Sequence, residues 1–304
     1  MIFKTASLFR ATLPQDGTDI DTSLGNHQFA PCGATQQASS GWVPPRGEDG
    51  GDMIEVIDGQ WLMALKTETK LLPSAVVKEH VKKLAAQIER DTGRKPGRKQ
   101  TKELKEQATL ELLPMAFTKQ SVTGVWLSPA DGWLVVDTAS ASKADAVLTA
   151  LVKSVPGLVV HALHTCESPS AVMANWLLTG EPAADFTLDR ECELKGTDEM
   201  KSVVRYGRHP LDIDEVRGHI KQGKMPTRLA MTWNGRLSFT LTDQGSLRKI
   251  EFLDGVLDDQ GDTDDRFDAD AAILTGELRK MLPALVEALG GEHTPGGLDM
   301  GGAA

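Results

Sequence analysis

Apolar positions recur along this chain with two different periods, and the change of period marks out its elements. Between residues 71 and 117 the period is helical. Val77, Val81, Leu84 and Ile88 form one narrow stripe at i, i+4, i+7 and i+11. Leu104, Ala108 and Leu112 make a second stripe, and Gly93, Pro96 and Gly97 break the pattern between them. Ser74, just after Pro73, is the expected cap of the first helix, and Thr101 that of the second. Glu79 and Lys83 are spaced to pair along one helix face. Leu71-Leu72-Pro73 and Leu112-Leu113-Pro114 bracket the segment. The spacing predicts an antiparallel helical hairpin standing out from a larger body.

Elsewhere strand signals dominate. Residues 53–57 and 61–65 flank Asp58-Gly59 as a hairpin, and 122–127 and 133–136 flank a turn at 129–132. Gly41-Trp42-Val43-Pro44-Pro45 cannot be helix, because two prolines remove donors and restrict what precedes them. Helices are expected at 141–152 and 170–178. Beyond about residue 181 a second group follows: strands at 186–194, 203–206, 228–233, 236–241 and 249–253, and helices at 212–222 and 268–289. The expected class is α+β with mixed sheets and a protruding helical arm. Residues 1–70 and 118–180 would form a central body, 71–117 the arm, and 181–304 a C-terminal base with a disordered Gly-rich tail.

Charge changes the picture at one place. The whole chain carries a formal −10, yet residues 74–119 hold eleven Lys/Arg against six Asp/Glu, a surplus of five. The turn Arg94-Lys95-Pro96-Gly97-Arg98-Lys99 has four cations and no acid. Such a basic turn on an otherwise acidic molecule points to one surface for polyanions, and the plainer reading is a solvated arm with lysines for solubility. A net negative chain does not coat nucleic acid with its whole exterior. Screening over about 8–10 Å nevertheless lets one local basic surface act alone. A second set comprises Arg205, Arg208, His209, Lys221 and Lys224; Lys221 and Lys224 also suit a helix C-terminus. No stripe of aromatics accompanies either set, which favours contact with a duplex backbone over base stacking.

Other chemistry has weaker signals. Asp258, Asp259, Asp262, Asp264, Asp265, Asp268 and Asp270 form an acidic run. It departs from a calcium loop at Gln260, Thr263 and Ala269. His161, His164 and Cys166 lack a fourth zinc ligand at a family spacing. Phosphate-binding and nucleophile-elbow motifs are missing. Cys32, Cys166 and Cys192 are read as buried free thiols of a reducing compartment. The first residues lack a secretory core and no apolar run reaches bilayer length, so an intracellular protein without membrane association is expected.

Several separated segments together resemble one family. They are Gly41-Trp42-Val43-Pro44-Pro45, the two Leu-Leu-Pro brackets with Met115-Ala116-Phe117, and Val136-Asp137-Thr138-Ala139-Ser140-Ala141. Arg266-Phe267-Asp268-Ala269-Asp270 and Leu274-Thr275-Gly276-Glu277-Leu278 complete the set. In this order they resemble the recombination-associated RdgC proteins over nearly the whole chain. The resemblance implies a homodimer closed into a ring, double-stranded DNA passing through a positively lined hole with little sequence preference, and antagonism of RecA-type recombinase. It implies DNA contacts at Arg94, Arg208 and Lys224, and a closing contact between arms at Phe117. Gly207 and His209 stand where the family often has a lysine and a glutamine, and Met115 where an arginine is common.

The expectation is therefore a non-enzymatic, cytoplasmic and nucleoid-associated DNA-binding protein without cofactor. Its DNA-binding residues would be Arg94, Lys95, Arg98, Lys99, Arg205, Arg208, Lys221 and Lys224. Two alternatives stay open: a metal-dependent nuclease or phosphoesterase built on the acidic run, and a protein that binds the recombinase itself without DNA.

Overall fold

The computed structural model describes residues 2–14, 19–48, 50–253 and 263–293, with 263–265 described by backbone alone. Strand β1 (Thr5–Thr12) is followed by α1 (Ile20–Gly25), β2 (Ala38–Val43), β3 (Glu55–Ile57) and β4 (Gln60–Lys70). Helices α2 (Ser74–Thr92) and α3 (Arg98–Leu112) with a 3-10 turn (Leu113–Met115) come next. They lead into β5 (Thr118–Ser128), β6 (Trp133–Val136), α4 (Ala141–Ser154), β7 (Val159–Ala162) and α5 (Pro169–Thr179). The last part is β8 (Phe186–Gly196), β9 (Val203–Tyr206), α6 (Asp214–Lys221), β10 (Lys224–Trp233), β11 (Leu237–Thr242), β12 (Leu247–Phe252) and α7 (Thr263–Ala288). No helix among the described residues is long and apolar enough to cross a membrane.

The α+β class holds, but the expected mixed sheets are one antiparallel path. Its order is β2-β4-β5-β6-β1-β12-β11-β10-β8-β9, with β3 added to β4 and β7 to β1. Strand β1 joins the two halves. Its start pairs with β12 through Thr5 and Ala6, its end pairs with β7, and its other edge pairs with β6. All pairings between the named strands are antiparallel.

The apolar runs in β5 and β6 follow from burial on both faces. Trp126, Trp133 and Val135 enter one core, whereas Val125, Leu127, Leu134 and Val136, of opposite phase, enter the other. The second core is closed by α1 and α4 through Leu24, Val147 and Leu151. The first continues under β8, β10, β11 and β12, where α5, α6 and α7 cover one face. Leu274, Leu278, Met281, Leu282 and Leu285 of α7 are buried, as the periodicity predicted for Leu274, Leu278, Leu282 and Leu285.

Ion pairs strap α7 to both halves. Arg46 reaches Asp268 at 2.5 Å and Glu55 at 3.0 Å, and Arg279 reaches Asp131 at 2.6 Å. Arg236 holds Glu277 at 2.9 Å, and beyond the helix Glu292 meets Arg10 at 2.7 Å. Asp268 is thus an arginine partner. Asp258, Asp259, Asp262 and the Gly-rich tail from residue 294 lie outside the described residues.

Gly41, Trp42 and Val43 end β2, and Pro44 and Pro45 follow it. A Cβ on Gly41 would sit 2.4 Å from the Phe29 Cα, so only glycine allows the chain at 29 to cross there. Trp42 is buried and its Nε1 donates to the Ser154 Oγ at 2.9 Å, tying β2 to α4. Two caps differ from expectation. Pro73 occupies the N-cap of α2 with Ser74 already helical, and Gly97 caps α3, inside which the Thr101 hydroxyl donates to the Gly97 carbonyl at 2.9 Å. The thiols differ too: Cys192 is buried, Cys32 half-buried and Cys166 exposed.

Two substitutions test this account. Gly41→Ala forces the backbone at Phe29 to move and is expected to lower the thermal unfolding midpoint sharply. Ser154→Ala strands the Trp42 indole N–H and is expected to cost about 1–3 kcal/mol in urea unfolding. Wild-type stability in both would refute the packing described.

Candidate nucleic-acid interface

The helical hairpin builds the first basic surface. Val77 of α2 and Leu104 and Ala108 of α3 are buried, with Val81, Leu84 and Ile88 half-buried along the predicted stripe. Near the foot, the Glu111 carboxylate lies 2.7 Å from His80 Nε2 and accepts a hydrogen bond from Gln107 at 2.8 Å. The Leu71 amide donates to the Phe117 carbonyl at 2.7 Å, joining the two strands of chain where the hairpin leaves the sheet. The Glu79–Lys83 pair forms at 3.5 Å. At the far end α2 closes on Gly93 at φ 69°, whose amide donates to the Glu89 carbonyl at 2.8 Å. The turn that follows leaves Arg94, Lys95, Arg98 and Lys99 exposed, with no carboxylate within ion-pair distance among the described residues. Helix packing thus gathers these four cations at one tip.

The second set is only partly assembled. Arg205 on β9 donates through Nε to the Glu193 carboxylate at 2.6 Å, so its charge is already engaged. Arg208 lies in the exposed turn after β9 at φ 54°, where the His209 amide donates to the Arg190 carbonyl at 3.0 Å. Lys221 ends α6, as a dipole-favoured cation would, and Lys224 opens β10 beyond Gly223 at φ 90°. Arg208, Lys221 and Lys224 have no ion-pair partner among the described residues.

Strand pairing adds cations that periodicity did not single out. On the face of β8–β12 away from the core, Arg205, Glu193, Arg228 and Thr242 form one row across four strands, and Arg248 pairs with Thr240 in the next. Between Ser238 and Thr240 the β11–β12 register slips, and Lys249 takes φ 50°. Arg248 and Lys249 therefore line the same cavity of about 400 Å³, with Glu191, Glu193, Arg205 and Arg228. A neighbouring cavity of about 320 Å³ adds Lys195 and shares Glu193, Arg228 and Arg248. The Arg205 hydrogen bond, then that of Thr227, holds the Glu193 carboxyl below the ordinary carboxylate value. Burial pushes the Cys192 thiol up to about 12, so it is not a nucleophile at neutral pH.

His161, His164 and Cys166 do not converge, and no group of three metal-ligating side chains is present among the described residues. Phe117 is 85% exposed and Met115 74%, an apolar pair at the foot of the hairpin.

A family model described as "Putative exonuclease, RdgC" matches residues 1–292. The chain is 45% identical to the recombination-associated protein RdgC of Herminiimonas arsenicoxydans over 299 residues, covering 96% of this chain and 99% of that one. It is 46% identical to that of Cupriavidus pinatubonensis over 300 residues and 44% to that of Dechloromonas aromatica over 302, with 96% of this chain covered in each and 99% and 98% of the relatives. The chain belongs to the RdgC family. Membership covers the hairpin, the sheet and α7 alike, so the basic turn and the open sheet face lie within the RdgC portion of the chain.

The hairpin clasp is testable through pH. The His80 hydrogen bond, then that of Gln107, lowers the Glu111 pKa from its ordinary 4.5. A carboxylate lowered on folding stabilises the fold above its unfolded value and loses that contribution as pH falls through the folded one. Glu111→Gln is expected to speed amide hydrogen exchange in α2 and α3 at neutral pH and to flatten its acid dependence. Unchanged exchange would mean that the clasp contributes nothing.

Proposed function

We propose that this chain is a sequence-tolerant double-stranded DNA-binding protein of recombination that acts as a ring-shaped homodimer. The observation that carries the reading is charge segregation. A chain of net −10 presents, at one helical turn, four exposed cations without carboxylate partners among the described residues, and further cations on an open sheet face. A duplex carries one charge per about 1.7 Å of axis, and cations that neutralise its phosphates release condensed counterions. Backbone contacts of this kind position a duplex without reading it.

In this reading Arg94, Lys95, Arg98 and Lys99 meet the duplex from the hairpin, and Arg208, Lys221 and Lys224 from the base, with Arg205 beside them held by Glu193. Two copies close around the duplex, with Phe117 and Met115 supplying apolar surface for the contact between arms. The inner wall is then cationic and the outside acidic, which keeps the assembly off unrelated polyanions. Occupied DNA is withheld from RecA-type recombinase filaments. The name of the relatives, recombination-associated protein, supports that setting. The activity is binding itself, in the cytoplasm on the nucleoid, and no cofactor or chemical step is invoked.

Replacing Arg94 and Lys224 together by Gln is expected to weaken binding alike on unrelated duplexes. It should also reduce the slope of log affinity against log salt by about one for each phosphate that is no longer neutralised. Fluorescence anisotropy over a salt series measures both, and an unchanged slope would overturn the reading. Cleavage of the duplex in Mg²⁺ or Mn²⁺ would replace it with the nuclease reading. Capture of recombinase in nuclease-treated, DNA-free solution, without DNA binding, would replace it with direct inhibition.

A further inference from the structure

The groove on the open face of β8–β12 has a feature that diffuse attraction to a polyanion does not need: its arginines are held in place. Glu193 is the holder. It takes Arg205 Nε at 2.6 Å and the Thr227 hydroxyl at 2.8 Å, and Arg228 Nη1 stands 3.9 Å from it. Arg228 is thereby oriented but not consumed, and its side chain stays 48% exposed. Glu191 takes Lys249 at 2.5 Å. Across the groove Arg248 donates through Nη2 to the Ala139 carbonyl at 3.1 Å, which fixes its guanidinium. Its Nε is shielded from solvent and has no acceptor among the described residues. A buried donor without an acceptor is costly, and one on a cation more so.

Four cations and two carboxylates therefore line a cavity of about 400 Å³, a surplus of two positive charges. The two cations of the groove without a carboxylate at hydrogen-bond distance among the described residues are both arginines, Arg228 and Arg248. Guanidinium forks match tetrahedral oxyanions, and their planar donors favour phosphate over a point counterion.

We propose that this groove is a discrete seat for a phosphate group, with Arg228 and Arg248 as its ligands and Glu193 and Arg205 as the residues that position Arg228. The phosphate belongs either to a duplex backbone or to a small phosphate ester. The first source rests on the DNA-binding reading above; the seat itself does not.

The test uses the full chain, ¹⁵N-labelled, with inorganic phosphate as the probe and the arginine Nε resonances as the readout. The Arg248 resonance is expected to shift saturably. Arg228→Gln, at an exposed position that leaves folding alone, should raise the apparent Kd for phosphate at least tenfold. Arg248→Gln should do the same with the thermal midpoint checked alongside, because that guanidinium also holds Ala139. Lys153→Gln, at an exposed lysine of α4 outside the groove, should leave the Kd unchanged. Repeating the titration with saturating short duplex assigns the source. Loss of the phosphate response places a backbone phosphate in the seat, and its persistence leaves the seat to a small ester. No saturable shift in the wild type, or equal Kd values in wild type and Arg228→Gln, would overturn the proposal. Duplex binding without a phosphate response sinks the seat alone, whereas a phosphate response without duplex binding sinks the duplex reading alone.

Discussion

The burial of one face of α7 is the constraint on which the rest of the molecule depends. Among the described residues the sheet is continuous through β1 alone, which meets β12 at Thr5 and Ala6 and through the Ile250 amide on the Lys4 carbonyl. Two residue pairs and one further hydrogen bond are a short joint for a path of this length. What holds the halves in register is the core that α7 closes, which runs from Phe3 and Leu8 through Trp126 and Trp133 to Leu229 and Leu241. Fully burying each leucine contributes about 1.5–3 kcal/mol, so the Leu274–Leu285 face far outweighs the joint's hydrogen bonds. The straps at Arg46, Asp131 and Arg236 add direction more than energy, since partly exposed ion pairs contribute about 0–1 kcal/mol each.

The hairpin obeys a different rule. Its buried residues, Val77, Leu104 and Ala108, are few, and its outer surface is charged. Such an element can carry cations at its tip because nothing there needs to be desolvated. On the open sheet face the opposite holds. Arg205, Arg228 and Arg248 lie over a packed sheet, and carboxylates at Glu191 and Glu193 offset part of their charge while fixing their positions. An exposed cationic tip suits steering and non-specific grip, whereas held arginines suit a ligand of defined shape.

Much of the fold was legible because burial imposes periodicity. The stripes of α2, α3 and α7 and the two-faced apolar runs of β5 and β6 all appear where the pattern placed them. The hairpin tip was legible for the same reason, since Gly93, Pro96 and Gly97 interrupt two stripes and the cations cluster between them. The caps were not: Ser74 and Thr101 have the right chemistry, but the helices begin one turn or less before the residues that would have capped them. β2 escaped notice because Ser39-Ser40-Gly41 has no apolar alternation, and its place comes from pairing with β4 and the close crossing at Phe29.

The amino-acid order by itself determined most of the elements, the family and the basic turn, because each depends on neighbours within a few residues or on motifs read along one line. The groove of Arg205, Arg228, Arg248 and Lys249 was decided only by tertiary structure. Those residues come from three strands whose adjacency depends on sheet order, and Lys249 joins them through a one-residue slip against β11. A slip of that kind reverses which face a side chain occupies, and nothing local to Lys249 announces it.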